Sequence, residues 1–358
     1  MEKRKIYEEI LKQLDSLFLK EKDRTVREST VVALLHFRFG FLWTGFYRVA
    51  GERLTVGPYQ GPLACIHIPF GKGVCGSSWK QKQSIVVPSV EEFPGHIACS
   101  SLSKSEIVVP VWHKGIITGV IDIDSERLNN FDDTDRRYLE YISAMMNVEI
   151  RPELKSHIDK NIIPLYRTFD AGHAIDHATS VIHEALMLSS RYDVNEEMVY
   201  ASAAYHDTGL RAGRETHHLE SARIIRSDHS LREWFSHEQI ECIAQAAEDH
   251  RASSENQPRS IYGKIIAEAD RLIDPSTVIR RVIEYSLSKF KDLSKEEHIE
   301  RCCAHLKEKY ADNGYLKLWI PYGNNARNLE QLRQIIRDED SLYRMLKDNL
   351  ENHLQNLS

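Results

Sequence analysis

No stretch of the 358-residue chain approaches the roughly 18–20 consecutive apolar residues of a membrane-spanning helix. The opening MEKRKIYEEILKQLDSLF carries charge throughout and lacks the apolar core of a secretory signal. A cytoplasmic protein without a membrane partner is therefore expected. A basic excess is missing too. Lys and Arg number 47 against 53 Asp and Glu, a formal net charge of −6, which argues against a nucleic-acid polymer as partner. There is no internal repeat and no low-complexity tract. The six cysteines form no CxxC pair that would suggest structural zinc. In a cytoplasmic chain they are not expected to form a structural disulfide framework either.

What is present is an ordinary globular composition, 42% hydrophobic and 28% charged, in a chain long enough for two cores. Residues 1–36 show two helical segments separated by the polar EKDR. From Phe41 the texture changes to FLWTGFYRV, RLTV, ACIHIPF, SIVVP, EIVVPVW and IITGVIDID. These short segments are rich in β-branched and aromatic residues and bounded by turn formers, which predicts strands. HKG between the fifth and sixth reads as a hairpin turn. FDDTDRRYLEYISAMMNVEI opens with acidic capping residues and continues at helical spacing. The first region is thus α+β, an antiparallel sheet with flanking helices.

Strand signals stop after Arg151. From residue 174 nearly every segment has a helical period, so the second region is all-α. Its tail, NLEQLRQIIRDEDSLYRMLKDNLENHL, reads as one long amphipathic helix. The boundary falls near 151–165, giving domains 1–152 and 153–358.

In the first domain, PFGKGVCGSSWKQ places Cys75 at the start of a short helix, where the helix field favours thiolate. EEFPGHIACS puts Cys99 in an irregular loop that could expose a reactive thiol. Asp122 and Asp124, two apart on a strand, share one face, and Glu106 adds a third carboxylate. Trp43 and Tyr47 also share a strand face.

WTGFY, GPYQGPLACIHIPFGKGVCG, FPGHIACSSLSKSEIVVPV and GVIDIDS together resemble the GAF-fold free methionine-(R)-sulfoxide reductases, over residues 25–148. The resemblance implies a pocket for free methionine sulfoxide. Cys99 would attack the sulfoxide, Cys65 would resolve the sulfenic acid as a disulfide, and a thioredoxin-like reductant would regenerate both. Cys75 would be auxiliary. Glu106, Asp122 and Asp124 would bind the ammonium group and protonate the sulfoxide oxygen, and Trp43 and Tyr47 would line the methyl end. The chain departs from the family at Ser100 and Ser89, where acidic residues are usual. Sensing of a small molecule or of redox state, with control of the second domain, is the alternative.

Ten of the seventeen histidines lie between His157 and His250, a clustering that suggests metal or acid–base chemistry. VYASAAYHDTGL sets His206 and Asp207 side by side at the end of an apolar helix, with Gly209 expected at its C-terminus. GHAIDHATS offers His173 and His177. EADRLID places Asp270 in an apolar helix, where an unpaired carboxylate is costly. His, His-Asp and Asp on successive helices are similar to the HD-superfamily metal-dependent phosphohydrolases, over about residues 160–290. That resemblance implies His177, His206, Asp207 and Asp270 as ligands of a divalent metal (Mn, Mg, Co, Fe or Zn) and no organic cofactor. It implies His217 and His250 as ligands of a second metal or as an acid/base pair, with His218 competing for the first role. Arg211 and Arg214 are candidates for holding a phosphate, and the substrate would be a phosphorylated metabolite or nucleotide. His183 is expected to be structural. A homodimer through helices flanking the first domain, near 1–36 and 131–157, is also expected.

Overall fold

A computed structural model of the protein describes residues 2–97, 100–169, 175–251, 256–271 and 273–355. Cys99 and His173 lie outside the described residues. The chain forms two compact units, 1–248 and 249–358.

The first unit opens with α1 (Glu2–Leu17) and α2 (Arg24–Phe39). Asp23 starts α2 by accepting a hydrogen bond from the Val26 amide at 3.0 Å, and Gly40 stops it in the left-handed region at φ 64°. The strands are β1 (Trp43–Ala50), β2 (Arg53–Gln60), β3 (His67–Pro69), β4 (Ile85–Val87), β5 (Ser105–His113) and β6 (Ile116–Ser125). They form one antiparallel sheet in the order β3-β2-β1-β6-β5-β4. At the HKG turn Lys114 and Gly115 take φ 47° and 81°, the paired positive values that a tight hairpin needs.

Alternation along β5 and β6 sorts the two faces. Ile107, Val109, Ile121 and Ile123 are buried on one. Trp43, Tyr47, Val108 and Val120 pack on the other with Val74 and Cys75 of α3 (Gly73–Gln81). The helix α4 (Asp133–Met145) packs on β5 and starts with a capping box between Asp132 and Asp135. The buried Asp135 carboxylate also takes Lys3 Nζ at 2.6 Å and the Tyr7 hydroxyl at 2.9 Å, which fastens α1 to α4.

The chain continues through α5 (Pro152–His157) and irregular helical turns at 158–168 into α6 (Ile175–Ser189), α7 (Glu196–Tyr205), α8 (His217–Ser227) and α9 (His237–Asp249). Helices α4 and α6 are joined in the interior. Tyr141 donates to Glu184 at 2.7 Å and receives the Arg137 Nε–H at 2.8 Å.

The second unit holds α10 (Ile261–Ala269), α11 (Pro275–Lys289), α12 (Lys295–Tyr310), α13 (Asn324–Arg337) and α14 (Glu339–Gln355). Ile279, Ile283, Leu306, Leu332 and Leu346 belong to the core that α11 to α14 share. The single tail helix expected from the sequence is therefore two. Asp338 leaves the helix at φ −93°, ψ 93°, and its carboxylate accepts from the Ser341 amide at 3.0 Å. It ends α13 and starts α14 in one residue.

Replacing Asp132 with Ala removes the α4 capping box and is expected to cost about 1 kcal/mol. A lower urea midpoint at unchanged slope checks this.

Candidate functional site

The first candidate site grows out of strand register. Trp43 pairs with Asp124 and Asp124 with Glu106, so one row of the sheet carries all three. One row along, Gly45 pairs with Asp122. Gly45 matters because a Cβ there would sit 2.5 Å from Cη2 of the Trp43 ring. Its absence lets that ring lie flat, stacked on Tyr47 at 5.7 Å and Tyr59 at 5.3 Å. The loop at 62–64, helix α3 and His96, Ile97, Ser100 and Ser103 close the rim. The pocket, about 540 Å³ with its open mouth included, is lined by Trp43, Tyr47, Cys75, Glu106, Asp122 and Asp124 among others.

Its electrostatics are unusual. Burial pushes Glu106 well above the usual carboxylate range, and Asp124 across the strand pair pushes it further. Burial and then Glu106 do the same to Asp122. Asp124 is raised by burial, offset by the Ser103 hydroxyl that donates to it and by His96. His96 Nε2 is 3.5 Å from Glu106. The three adjacent carboxylates are thus raised together and titrate as one coupled set. The indole N–H of Trp43 and one Asp122 oxygen are buried with no hydrogen-bond partner among the described residues. Such a pocket suits a ligand with its own cation and acceptor.

Cys75 corrects an expectation. It lies within the first turn of α3, but it is buried beside Asp122 and Glu106, and burial first and those carboxylates second raise its thiol well above the ordinary value. Burial, with the carboxylates adding to it, overrides the helix field, and Cys75 stays a thiol. Cys65 is disulfide-bonded, and its carbonyl accepts from the Tyr47 hydroxyl at 3.0 Å. Tyr59, His96 and Ser103 are site residues that sequence reasoning missed. A carboxylate-rich strand facing a Gly-Pro loop was the only signal for them.

The second candidate site forms where α7 ends. Every residue from Met198 to Tyr205 is buried. His206 keeps helical angles, but Asp207 takes φ −110°, ψ 9°. That break lets two adjacent side chains, about 100° apart on a continuous helix, approach one point. His206 Nε2 is 3.4 Å and His177 Nε2 3.9 Å from Asp207 Oδ2, and His217 Nε2 is 3.3 Å from Asp207 Oδ1. It is His217 whose ring faces Asp207 in the His217-His218 pair.

Two of these rings have a defined tautomer. His206 Nδ1 donates to the Ala203 carbonyl at 2.8 Å and His217 Nδ1 to the Arg214 carbonyl at 2.7 Å. In the neutral imidazoles each Nε2 then presents a lone pair toward the Asp207 carboxylate. Lone pairs facing a carboxylate repel, and a divalent cation among them turns the repulsion into ligation. An imidazole and carboxylate donor set suits a borderline divalent ion. Tyr166 supports the turn, donating to the Ala204 carbonyl at 3.0 Å and receiving the Asp207 amide at 3.3 Å.

Gly209 is not the helix cap expected. It lies in a short 3₁₀ turn, Thr208–Ala212, without a positive φ. A Cβ there would meet the His217 carbonyl at 2.2 Å and the Ser221 nitrogen at 2.5 Å. The glycine is needed for the close approach of α8, which delivers His217. Asp270 does not lie within its helix but ends α10 as the C-cap residue of the second unit, and His250 follows α9. Arg211 and Arg214 are exposed in the loop after Asp207. His183 turns to Asp15, at 3.5 Å.

A GAF-domain family model matches residues 24–147. GAF domain-containing protein A of Dictyostelium discoideum is 48% identical over 142 residues, 39% of this chain and 90% of that protein. The chain belongs to the GAF-domain family. Free methionine-R-sulfoxide reductase of Escherichia coli K12 is 37% identical to the GAF region over 147 residues, 41% of this chain and 89% of that enzyme. The X-ray structure of free methionine-R-sulfoxide reductase from Neisseria meningitidis with its substrate matches at 42% identity. It covers 43% of this chain and 93% of its own, with a TM-score of 0.41. An HD-domain model matches residues 174–273. The GAF domain is thus followed by an HD domain, a class that is generally metal-dependent.

Two outcomes are expected. The raised carboxylates of the GAF pocket contribute stability that is fully present below their unfolded pKa of about 4 and is lost as pH rises through their folded values. Glu106→Gln therefore raises the thermal midpoint of the ligand-free protein at pH 8, with little change at pH 4. Gly209→Ala displaces α8, costs about 1–3 kcal/mol, and lowers the divalent metal retained after dialysis, measured by mass spectrometry.

Proposed function

We propose that the protein combines two activities: thiol-dependent reduction of free L-methionine-(R)-sulfoxide in the GAF domain and divalent-metal-dependent hydrolysis of a phosphate ester or nucleotide in the HD domain. The observation that carries the first is the set of three adjacent, upshifted carboxylates opposite an aromatic wall. An ionised carboxylate among Glu106, Asp122 and Asp124 pairs with the substrate ammonium. A protonated neighbour hands its proton to the sulfoxide oxygen. Trp43 and Tyr47 hold the methyl end. Cys99 attacks the sulfur, the S–O bond breaks, and the oxygen passes to Cys99 as a sulfenic acid while methionine leaves. Cys65 then displaces water to form a disulfide, which a thioredoxin-like dithiol reduces. The disulfide-bonded state of Cys65 supports this role. Cys75, a neutral thiol at the pocket wall, is auxiliary.

For the HD domain, His177, His206, Asp207 and Asp270 are the proposed ligands of the metal. His217 and His250 serve a second metal or proton transfer. A bound divalent cation supplies Lewis acidity toward a phosphoryl oxygen and lowers the pKa of a water. The carbonyls of Ala203 and Arg214 keep His206 and His217 in the tautomer that ligation needs. Arg211 and Arg214 are proposed to hold the phosphate.

A second reading, in which the GAF domain senses its ligand and controls the HD domain, is favoured by the buried Tyr141–Glu184 bond. It joins the helix packed on the sheet to the helix that carries His177.

Thioredoxin-coupled turnover of free methionine-(R)-sulfoxide tests the first activity. Cys99→Ser should abolish it, and Glu106→Gln should lower kcat/KM by roughly 10²-fold or more. Absence of turnover in the wild type, with an effect of methionine sulfoxide on hydrolysis, selects the sensor reading. A phosphate-ester panel with Mn²⁺, Mg²⁺ and Co²⁺ tests the second activity, and Asp207→Ala should lose both hydrolysis and bound metal.

A further inference from the structure

The second unit contains a concavity that neither proposed activity uses. Helices α11 and α12 border an open pocket of about 1060 Å³. Residues 277, 281 and 285 of α11 face it, as do 301, 305 and 309 of α12. Each series is spaced by four residues, so each forms one stripe along its helix. The stripes bring Arg281, Arg301, His305 and Lys309 to the pocket, with Tyr285 and Tyr310 beside them. No lining residue is acidic, and none is a candidate metal ligand.

These charges are not neutralised locally. Among the described residues no carboxylate forms an ion pair with Arg281, Arg301 or Lys309. Arg301 has a buried Nη1 with no acceptor. Its guanidinium lies 4.0 Å from the Phe290 ring centroid and 5.5 Å from that of Tyr285, which holds its carbon face and leaves its N–H edge to bond elsewhere. Burial lowers the His305 and Lys309 pKa values. Lys309 and Arg301 lower His305 further, against partial relief from Glu308, and Arg271 lowers Lys309 further. Like charges held together at a partly buried surface raise the local potential until an anion enters.

We propose that this pocket binds a nucleoside di- or triphosphate, with Arg281, Arg301 and Lys309 on its phosphates and Tyr285 against its base. A single carboxylate or monophosphate would leave most of the positive charge unmatched. Two or three adjoining phosphates match it, and a guanidinium edge donates to phosphate oxygens in pairs. The exposed ring of Tyr285, at the same pocket, offers a stacking face that inorganic diphosphate cannot use.

Calorimetric titration of the full chain with ADP and with pyrophosphate, without divalent metal, tests the proposal. The expected result is one saturable ADP site. Its affinity should fall about tenfold in each of Arg281→Gln and Lys309→Gln, the loss of one charge-assisted contact. Both replacements lie at the pocket surface, and unchanged thermal midpoints would show that the fold is intact. Asp207→Ala should bind ADP as the wild type does, which separates this site from the metal centre. Tyr285→Ala should weaken ADP more than pyrophosphate, which loses only the support that ring gives Arg301. The proposal is overturned by any of three results: no saturable binding up to millimolar ADP, wild-type affinity in both pocket variants, or loss of binding in Asp207→Ala. Equal affinity for pyrophosphate and ADP overturns the placement of the base against Tyr285.

Discussion

Three carboxylates on one face of a β-sheet cannot be covered by an apolar layer without being neutralised or matched. That constraint organises the first domain. The face bearing Glu106, Asp122 and Asp124 carries a pocket lined with aromatic rings, while the opposite face, with Ile107, Val109, Ile121 and Ile123, closes into ordinary core. Proton sharing lowers the cost of burying the acids, while burial first and their remaining charge second keep Cys75 a thiol. A zwitterionic ligand would remove much of the remaining penalty, so binding and pocket stability draw on the same electrostatics.

The HD site meets a related constraint by another route. Here one carboxylate, Asp207, is met by imidazole nitrogens whose tautomers are set by backbone carbonyls. The apolar helix α7 is the rigid support. It ends where the backbone must turn for His206 and Asp207 to converge, and Tyr166 braces that turn. Rigid support of this kind holds ligand atoms within the small tolerances that a metal site requires.

Much of this was legible along the chain because it follows from local periodicity. Asp122 and Asp124 share a face because strands alternate. HKG is a hairpin because Lys114 and Gly115 tolerate positive φ, and the acidic start of α4 is a capping box. The helical texture after Arg151 is equally local. The misreadings come from long-range effects. Gly209 signals both a cap and a close helix approach, and only the position of α8 separates them. The local signal at Cys75 is its helix, whereas burial against strands some 30 and 50 residues later, and the carboxylates they carry, sets its charge. The break at Asp338 is hidden in RDED, where every residue also suits an exposed helix. His96 and Ser103 reach the carboxylates by the path of a loop, and Tyr166 reaches the His206–Asp207 turn from some 40 residues upstream, which no periodicity encodes.

The bond from Tyr141 to Glu184 has a consequence for how the chain can be divided. A cut near residue 150 looks natural from the family matches, which end at 147 and resume at 174. It would leave Glu184 on one fragment as a carboxylate facing solvent through an apolar surface. On the other it would strip the Tyr141 hydroxyl, which accepts from Arg137, of its own acceptor. The GAF region and the start of the HD region share a buried hydrogen bond, so the link between them is part of the fold as well as a tether. A GAF domain grafted in from a stand-alone relative would have to bring its own answer to that buried glutamate.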